Sequence, residues 1–204
     1  NIMVVNCHLK CCNSTDDNST RQYEVDGLIS FIHKLKNNEL SFSIPQNTPF
    51  IFMGDFNLVG NSQQLSTLIN GDIQNTALFG EAGFPDWDET PMGNATSTGV
   101  RKNMAYTWRD DEGSYWPGRL DYLIYTNSVM SLEKSFVLET KYMSTETLTT
   151  NNLKSYDSRT ASDHFPHIAD FSFKNISSNS AVSYKELSIS PNPAKDFIII
   201  KADI

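Results

Sequence analysis

Long hydrophobic runs are missing from this sequence, and so is any surplus of positive charge. No apolar stretch approaches the roughly 20 residues needed to span a bilayer, and no lipidation signal is present, so no transmembrane segment is expected and the protein should be soluble. Basic side chains number 16 against 24 acidic ones, a formal net charge of -8. That balance excludes a general attraction to nucleic acid or anionic lipid. A polyanionic substrate would have to be drawn by metal ions and a few local cations, for which Lys10, Arg101, Lys102 and Arg119 are the candidates. Cysteine is scarce and confined to Cys7, Cys11 and Cys12, around His8. Zinc is disfavoured because thiols on opposite faces of a strand do not converge on one ion, which leaves a buried Cys7 and a disulfide involving Cys11 or Cys12 in an oxidising compartment. No internal repeat is visible. An initiator Met and any lead-in to the first strand are also missing. From this an amino-terminally incomplete piece is expected, less stable than its parent and inactive or nearly so by itself.

What is present is core material: 39% hydrophobic residues and 11% aromatic ones, enough for one domain of ordinary size with an appendage. Asn1 to Leu9 reads as a strand with Val4, Asn6 and His8 on one face. Ser19 to Gln22 has the form of a capping box, and Leu28, Phe31, Ile32 and Leu35 continue a helix that Asn37-Asn38 stops. His33 on that helix reads as solvated. Phe50 to Met53 reads as a short buried strand, so strand, helix and strand form a crossover unit that brings His8 and Asp55 to one edge of a sheet. Asn61 to Gln64 can cap a short helix ended by Gly71. Gly80 to Gly99 is a long irregular connection. Further strands are expected at Ala105–Trp108, Leu120–Tyr125, Ser135–Tyr142 and Ile168–Phe173, with a Ser/Thr/Asn-rich loop from Ser144 to Ser162. His167 reads as a strand-start residue. Residues 175–186 read as a linker, and 187–204 as the opening of a truncated β-rich module.

The strand from Phe50 stops at Gly54 and delivers Asp55 and Asn57 to one side of its carboxyl end, the place where layered sheets hold ligands. An Asp-x-Asn also makes an ordinary Asx-turn. Three further stretches share its position at strand ends: Asn6-Cys7-His8-Leu9, Arg119-Leu120-Asp121-Tyr122 and Ser162-Asp163-His164-Phe165-Pro166. In this order and spacing the four resemble the endonuclease/exonuclease/phosphatase superfamily, the DNase I-like fold, over residues 1–174. The resemblance implies an α/β (α+β) fold, a two-layer β-sandwich flanked by helices. It implies a metal-dependent phosphodiesterase in which Asp55 handles the attacking water, Asn57 holds water or phosphate, and His164 contacts a phosphate oxygen while Asp121 orients it. His8 matches a histidine that contacts phosphate, and Asp163 and Asp55 match metal-site carboxylates. Mg²⁺ is the implied ion, with Mn²⁺ or Ca²⁺ possible. The family's upstream Asn and Glu have no counterpart here.

Leu187 to Lys195 also resembles the start of a type IX secretion sorting domain. It implies a secreted or cell-surface protein that meets the type IX secretion machinery. The combined expectation is an extracellular nuclease acting as a monomer on nucleic acid. A sphingomyelinase or phospholipase C-like phosphodiesterase and a non-catalytic surface binding module are the alternatives, since fold gives reaction type and not substrate.

Overall fold

A computed structural model describes residues 1–174, 187–190 and 199–202. Strand β1 (Met3–His8) alternates half-buried Met3, Val5 and Cys7 with exposed Val4, Asn6 and His8, the period of two expected for a strand with one covered face. Helix α1 (Thr15–Lys36) starts a turn earlier than the sequence pattern implies. Its capping box is Ser14 with Asp17: Ser14 Oγ accepts from Asp17 N at 3.1 Å, and the Asp17 carboxylate accepts from Ser14 N at 3.0 Å. Ser19 and Thr20 instead donate their hydroxyls back to the carbonyls of Thr15 and Asp16. Arg21, expected inside the box, is fully buried and donates to Lys10 O at 2.7 Å and Cys12 O at 2.6 Å, which satisfies the carbonyls of the loop leaving β1. Val25, Ile29, Ile32 and Leu35 form the buried stripe, and Asn37 ends the helix as expected.

His33 is half-buried, not solvated. Its Nε2 lies 2.8 Å from Gly83 O, and burial holds its pKa below the ordinary value.

Strand β2 (Phe50–Asp55) pairs parallel with β1, in the crossover arrangement the sequence implied. Helix α2 (Gln63–Asn70) ends at Gly71, whose φ of 68° is left-handed. Helix α3 (Thr76–Phe79) comes just before the long connection, and strand β3 (Gly93–Asn94) lies within it. Strand β4 (Asp121–Tyr125) pairs antiparallel with β2 on one side and β3 on the other, giving the order β1-β2-β4-β3. Ala105–Trp108 is not a strand: of these residues only Trp108 bridges neighbouring chain, to Gly118 and His164.

Strand β5 (Met130–Val137) lies earlier than the expected Ser135–Tyr142. The chain leaves the sheet after Val137 because buried Glu139 and Thr140 are drawn inward, Glu139 by Tyr106 and Arg109 and Thr140 by the Ser158 hydroxyl. A 3₁₀ turn at Thr140–Tyr142 follows. Two short helices, α4 (Thr145–Thr150) and α5 (Asp157–Ala161), occupy what reads as loop, the first capped by Ser144 Oγ accepting from Thr147 N at 3.1 Å. Strand β6 (His167–Phe173) then pairs antiparallel with β5.

These elements make a mixed α/β structure in which both faces of the four-stranded sheet carry apolar side chains. One face packs Phe50, Phe52, Tyr122 and Ile124 against Val25, Ile29 and Ile32 of α1 and Leu68 of α2. The other packs Ile51 and Leu123 with Ala95, Val129 and Met130, against Leu132 of β5 and Ala169 and Phe171 of β6. On that second face Val4 and Met53 remain exposed. Strand β7 (Leu187–Ser190) pairs antiparallel with β8 (Ile199–Ala202), and the linker expected at 175–186 lies outside the described residues. The expected disulfide is not formed: Cys7 packs into the layer beneath α1, where burial pushes its thiol up to about 11, while Cys11 and Cys12 are exposed free thiols.

Candidate active site

Strand register alone places three of the expected residues in one row. His8 pairs with Asp55 across β1 and β2, and Asp55 pairs with Asp121 across β2 and β4, so the three occupy adjacent positions on one face at one edge of the sheet. Gly54 makes the row possible. Its φ is +122°, and a Cβ there would stand 2.1 Å from Cys7 O, so only glycine lets β2 lie against β1 immediately before the carboxylate.

Asn57 then fixes Asp55. Its backbone N–H donates to Asp55 Oδ1 at 2.9 Å, and its Nδ2 donates to Asp55 Oδ2 and to Leu9 O, both at 3.0 Å. Asn57 is buried with a left-handed φ of 49°, a conformation that asparagine tolerates. The Asp-x-Asn is therefore an Asx-turn and also a clamp that aims a carboxylate. Burial, and then the neighbouring Asp121, hold the Asp55 carboxyl above its ordinary range, opposed by the Asn57 N–H and the two histidines.

His164 arrives from the far end of the chain. Trp108 bridges His164, Phe165 N donates to Thr107 O at 2.7 Å, and His164 N donates to Ser162 Oγ at 3.0 Å. The imidazole Nδ1 lies 2.8 Å from Asp121 Oδ2, and its Nε2 stands 3.9 Å from Asp55 Oδ2. His8 Nε2 approaches the same Asp55 oxygen to 3.6 Å from a ring that is 80% exposed. One carboxylate oxygen thus faces two imidazole nitrogens at distances longer than a hydrogen bond. Asp55, Asp121 and His164 offer ligand atoms that all lie within 4.8 Å of one another, a group compact enough to hold a metal ion.

No family model matches the chain, and no curated protein does. The chemistry of the site therefore rests on its geometry.

Asp163 stands apart from the three-residue group. Its carboxylate accepts from Trp108 Nε1 at 2.8 Å, a bond that lowers its pKa, and its carbonyl accepts from Arg109 N at 3.1 Å. The structure thus uses Asp163 to fasten the segment that carries His164.

Of the cations expected to attract a polyanion, three are occupied internally. Lys10 pairs with Asp17 at 3.2 Å, and Lys102 donates to Tyr106 and Tyr142 hydroxyls at 2.9 Å each. Arg119 donates to Asn94 Oδ1 at 2.6 Å and Ala95 O at 2.9 Å, and stacks 4.2 Å over the Tyr122 ring. Arg101 is exposed.

Sequence reading missed Thr107. This buried hydroxyl accepts from both Leu120 N, at 3.0 Å, and Asp121 N, at 2.9 Å, and so sets where Asp121 begins its strand. Its only signal was a β-branched hydroxyl in the run Tyr106-Thr107-Trp108. Away from the site, a groove of about 360 Å³ lies beside the carboxyl end of α1. Its His33 is bound to Gly83 O, and its Lys36 is bound to Asp86 O and the Glu89 carboxylate, so these two side chains hold the loop that walls it.

Proposed function

We propose that this chain carries the catalytic site of a metal-dependent phosphodiesterase of the endonuclease/exonuclease/phosphatase type, acting on nucleic acid. The observation that carries the reading is the convergence on Asp55 Oδ2 of two imidazole Nε2 atoms, at 3.6 and 3.9 Å, with one ring anchored to Asp121. Phosphodiester hydrolysis needs an oriented water, donors for the non-bridging oxygens, and a proton for the leaving oxygen. Asp55, held by Asn57 at both oxygens, accepts the proton of the attacking water. Asp121, bonded to His164 Nδ1, orients the ring so that its Nε2 faces a non-bridging phosphate oxygen. His8, exposed and opposite, contacts the phosphate from the other side and can protonate the leaving oxygen.

The donor set fits a hard cation: Asp55 would hold it through a carboxylate oxygen, while Asp121 stays engaged with the His164 ring and the His164 Nε2 is left for substrate. Bound there, Mg²⁺, or Mn²⁺ or Ca²⁺ in its place, supplies positive charge against the phosphate oxygens and lowers the pKa of water.

The finer fold belongs to the same proposal. The apolar contact between the four-stranded sheet and the β5–β6 pair, with α1 and α2 on the outer face, supports a DNase I-like two-layer sandwich. The antiparallel β7–β8 pair supports reading the segment from Leu187 as the opening of an export module that delivers the protein to the cell surface or medium. The test is hydrolysis of bis-p-nitrophenyl phosphate and of plasmid DNA by the product of the whole gene. Turnover is expected with Mg²⁺ and its loss with chelator; turnover that resists the chelator would end the metal-dependent reading.

A further inference from the structure

The two most exposed large apolar side chains among the described residues sit side by side: Tyr115 is 75% exposed and Trp116 is 89% exposed. They occupy the tip of the excursion 109–118, and the neck of that excursion is tied to the candidate site. Trp108 and Gly118 exchange two backbone hydrogen bonds, of 3.0 and 3.1 Å, and Trp108 in turn bridges His164. Arg109 anchors the base through Asp111 at 2.5 Å and Glu139 at 2.9 Å. The tip thus projects from a fixed stem. At about 4.8 Å per ladder step and 3.3 Å per residue, Trp116 lies roughly 16 Å along the chain path from His164. That is the span of a few nucleotides of a strand whose phosphate occupies the site.

The surroundings of the two rings decide what they fit. Asp110, Asp111 and Glu112 precede them, and Asp110 and Asp111 are turned inward, Asp110 to Glu112 N and Gly113 N, Asp111 to Arg109 and Arg159. No lysine or arginine lies between Arg109 and Arg119 to grip a phosphate. An acidic tip with no cation is poorly suited to anionic lipid and to phosphate contacts, whereas aromatic faces stack on any unpaired base without needing charge.

We propose that Tyr115 and Trp116 form a base-stacking platform that receives an unpaired nucleobase of a single-stranded or frayed nucleic acid, a few nucleotides from the phosphate under attack. This rests on the phosphodiesterase reading of the site for its position, and on the exposed rings for its ligand.

The test is fluorescence anisotropy of a labelled single-stranded 12-mer, with the product of the whole gene and with chelator present so that the probe is not consumed. Trp116→Ala and Trp116→Leu should each weaken binding at least about fivefold, the lower end of what one stacked base contributes. Trp116→Phe, which keeps a π face, should retain most of the affinity. Phe42→Ala serves as the control: it is 53% exposed but lies in the loop entering β2, at the opposite end of the sheet from the site, and should change nothing. Leucine binding as well as tryptophan, or no loss in any Trp116 variant, overturns the platform. So does co-sedimentation with phosphatidylcholine vesicles that Leu keeps and Ala loses, which would make the tip a membrane anchor. A protein that hydrolyses bis-p-nitrophenyl phosphate but does not bind the 12-mer also defeats the platform and leaves the reaction standing. A protein that binds the 12-mer through Trp116 without turnover upholds the platform and defeats the reaction.

Discussion

Asp55 meets more constraints than any other residue of the site, because Gly54 sets its approach and Asn57 holds both of its oxygens. Gly54→Ala should therefore be severe. It combines an unfavourable φ with a clash against Cys7 O, and a strained backbone position of this kind costs about 1–3 kcal/mol before the clash is counted. Urea unfolding checks it, and a midpoint unchanged from the parent would show that the two strands can part without loss. On the proposed mechanism, His164→Ala would remove a donor aimed at charge that grows in the transition state and should cost on the order of 10² to 10³ in kcat. Asp121→Asn should cost less, since it only weakens the orientation and charge balance of the His164 ring. If the two variants were equally impaired, Asp121 would have to act on substrate or metal directly.

Among elements, the β1–α1–β2 crossover was legible because hydrophobic period, proline-bounded loop and strand composition agree, and parallel pairing then brings His8 level with Asp55. Where the excursion 109–118 and the segment 157–164 sit against the sheet was not. Their positions are fixed by single long-range bonds, such as Thr107 Oγ1 to Asp121 N and Trp108 Nε1 to Asp163, and these leave no periodic trace in sequence. The helix start was misplaced for a related reason: two Ser-led boxes compete, and the earlier one wins because it frees Arg21 to close the carbonyls of Lys10 and Cys12. Asp121 was readable from its motif, but the hydroxyl that places it was not. Thr107→Val tests that hydroxyl at nearly constant shape. It strands two N–H groups, at about 1–3 kcal/mol for each buried group left unpaired. The expected outcome is a lower unfolding midpoint together with reduced kcat. Full activity in the variant would mean that Asp121 is positioned by His164 alone.

The molecule as a whole should be sensitive to acid. Burial, and then the charge of Arg119, push His167 down from 6.5 to about 4 in the folded state. The unfolded chain takes up that proton first, so the contribution is full above about pH 6.5 and is lost as pH falls toward about 4. His33, lowered by burial, acts in the same direction. The difference in urea midpoint between pH 7.5 and pH 4.5 should shrink in His167→Gln, and an undiminished difference would assign acid sensitivity elsewhere. The claim that joins the scales is that a carboxylate held by one strand end and one asparagine turns over a phosphodiester between two histidines. The most direct measurement is the rate of Mg²⁺-dependent plasmid cleavage by Asp55→Asn in the whole gene product, with DNA binding measured alongside. The amide is isosteric with the carboxylate but accepts no proton, so turnover should vanish while binding persists; an Asp55→Asn protein that keeps its rate would contradict the account.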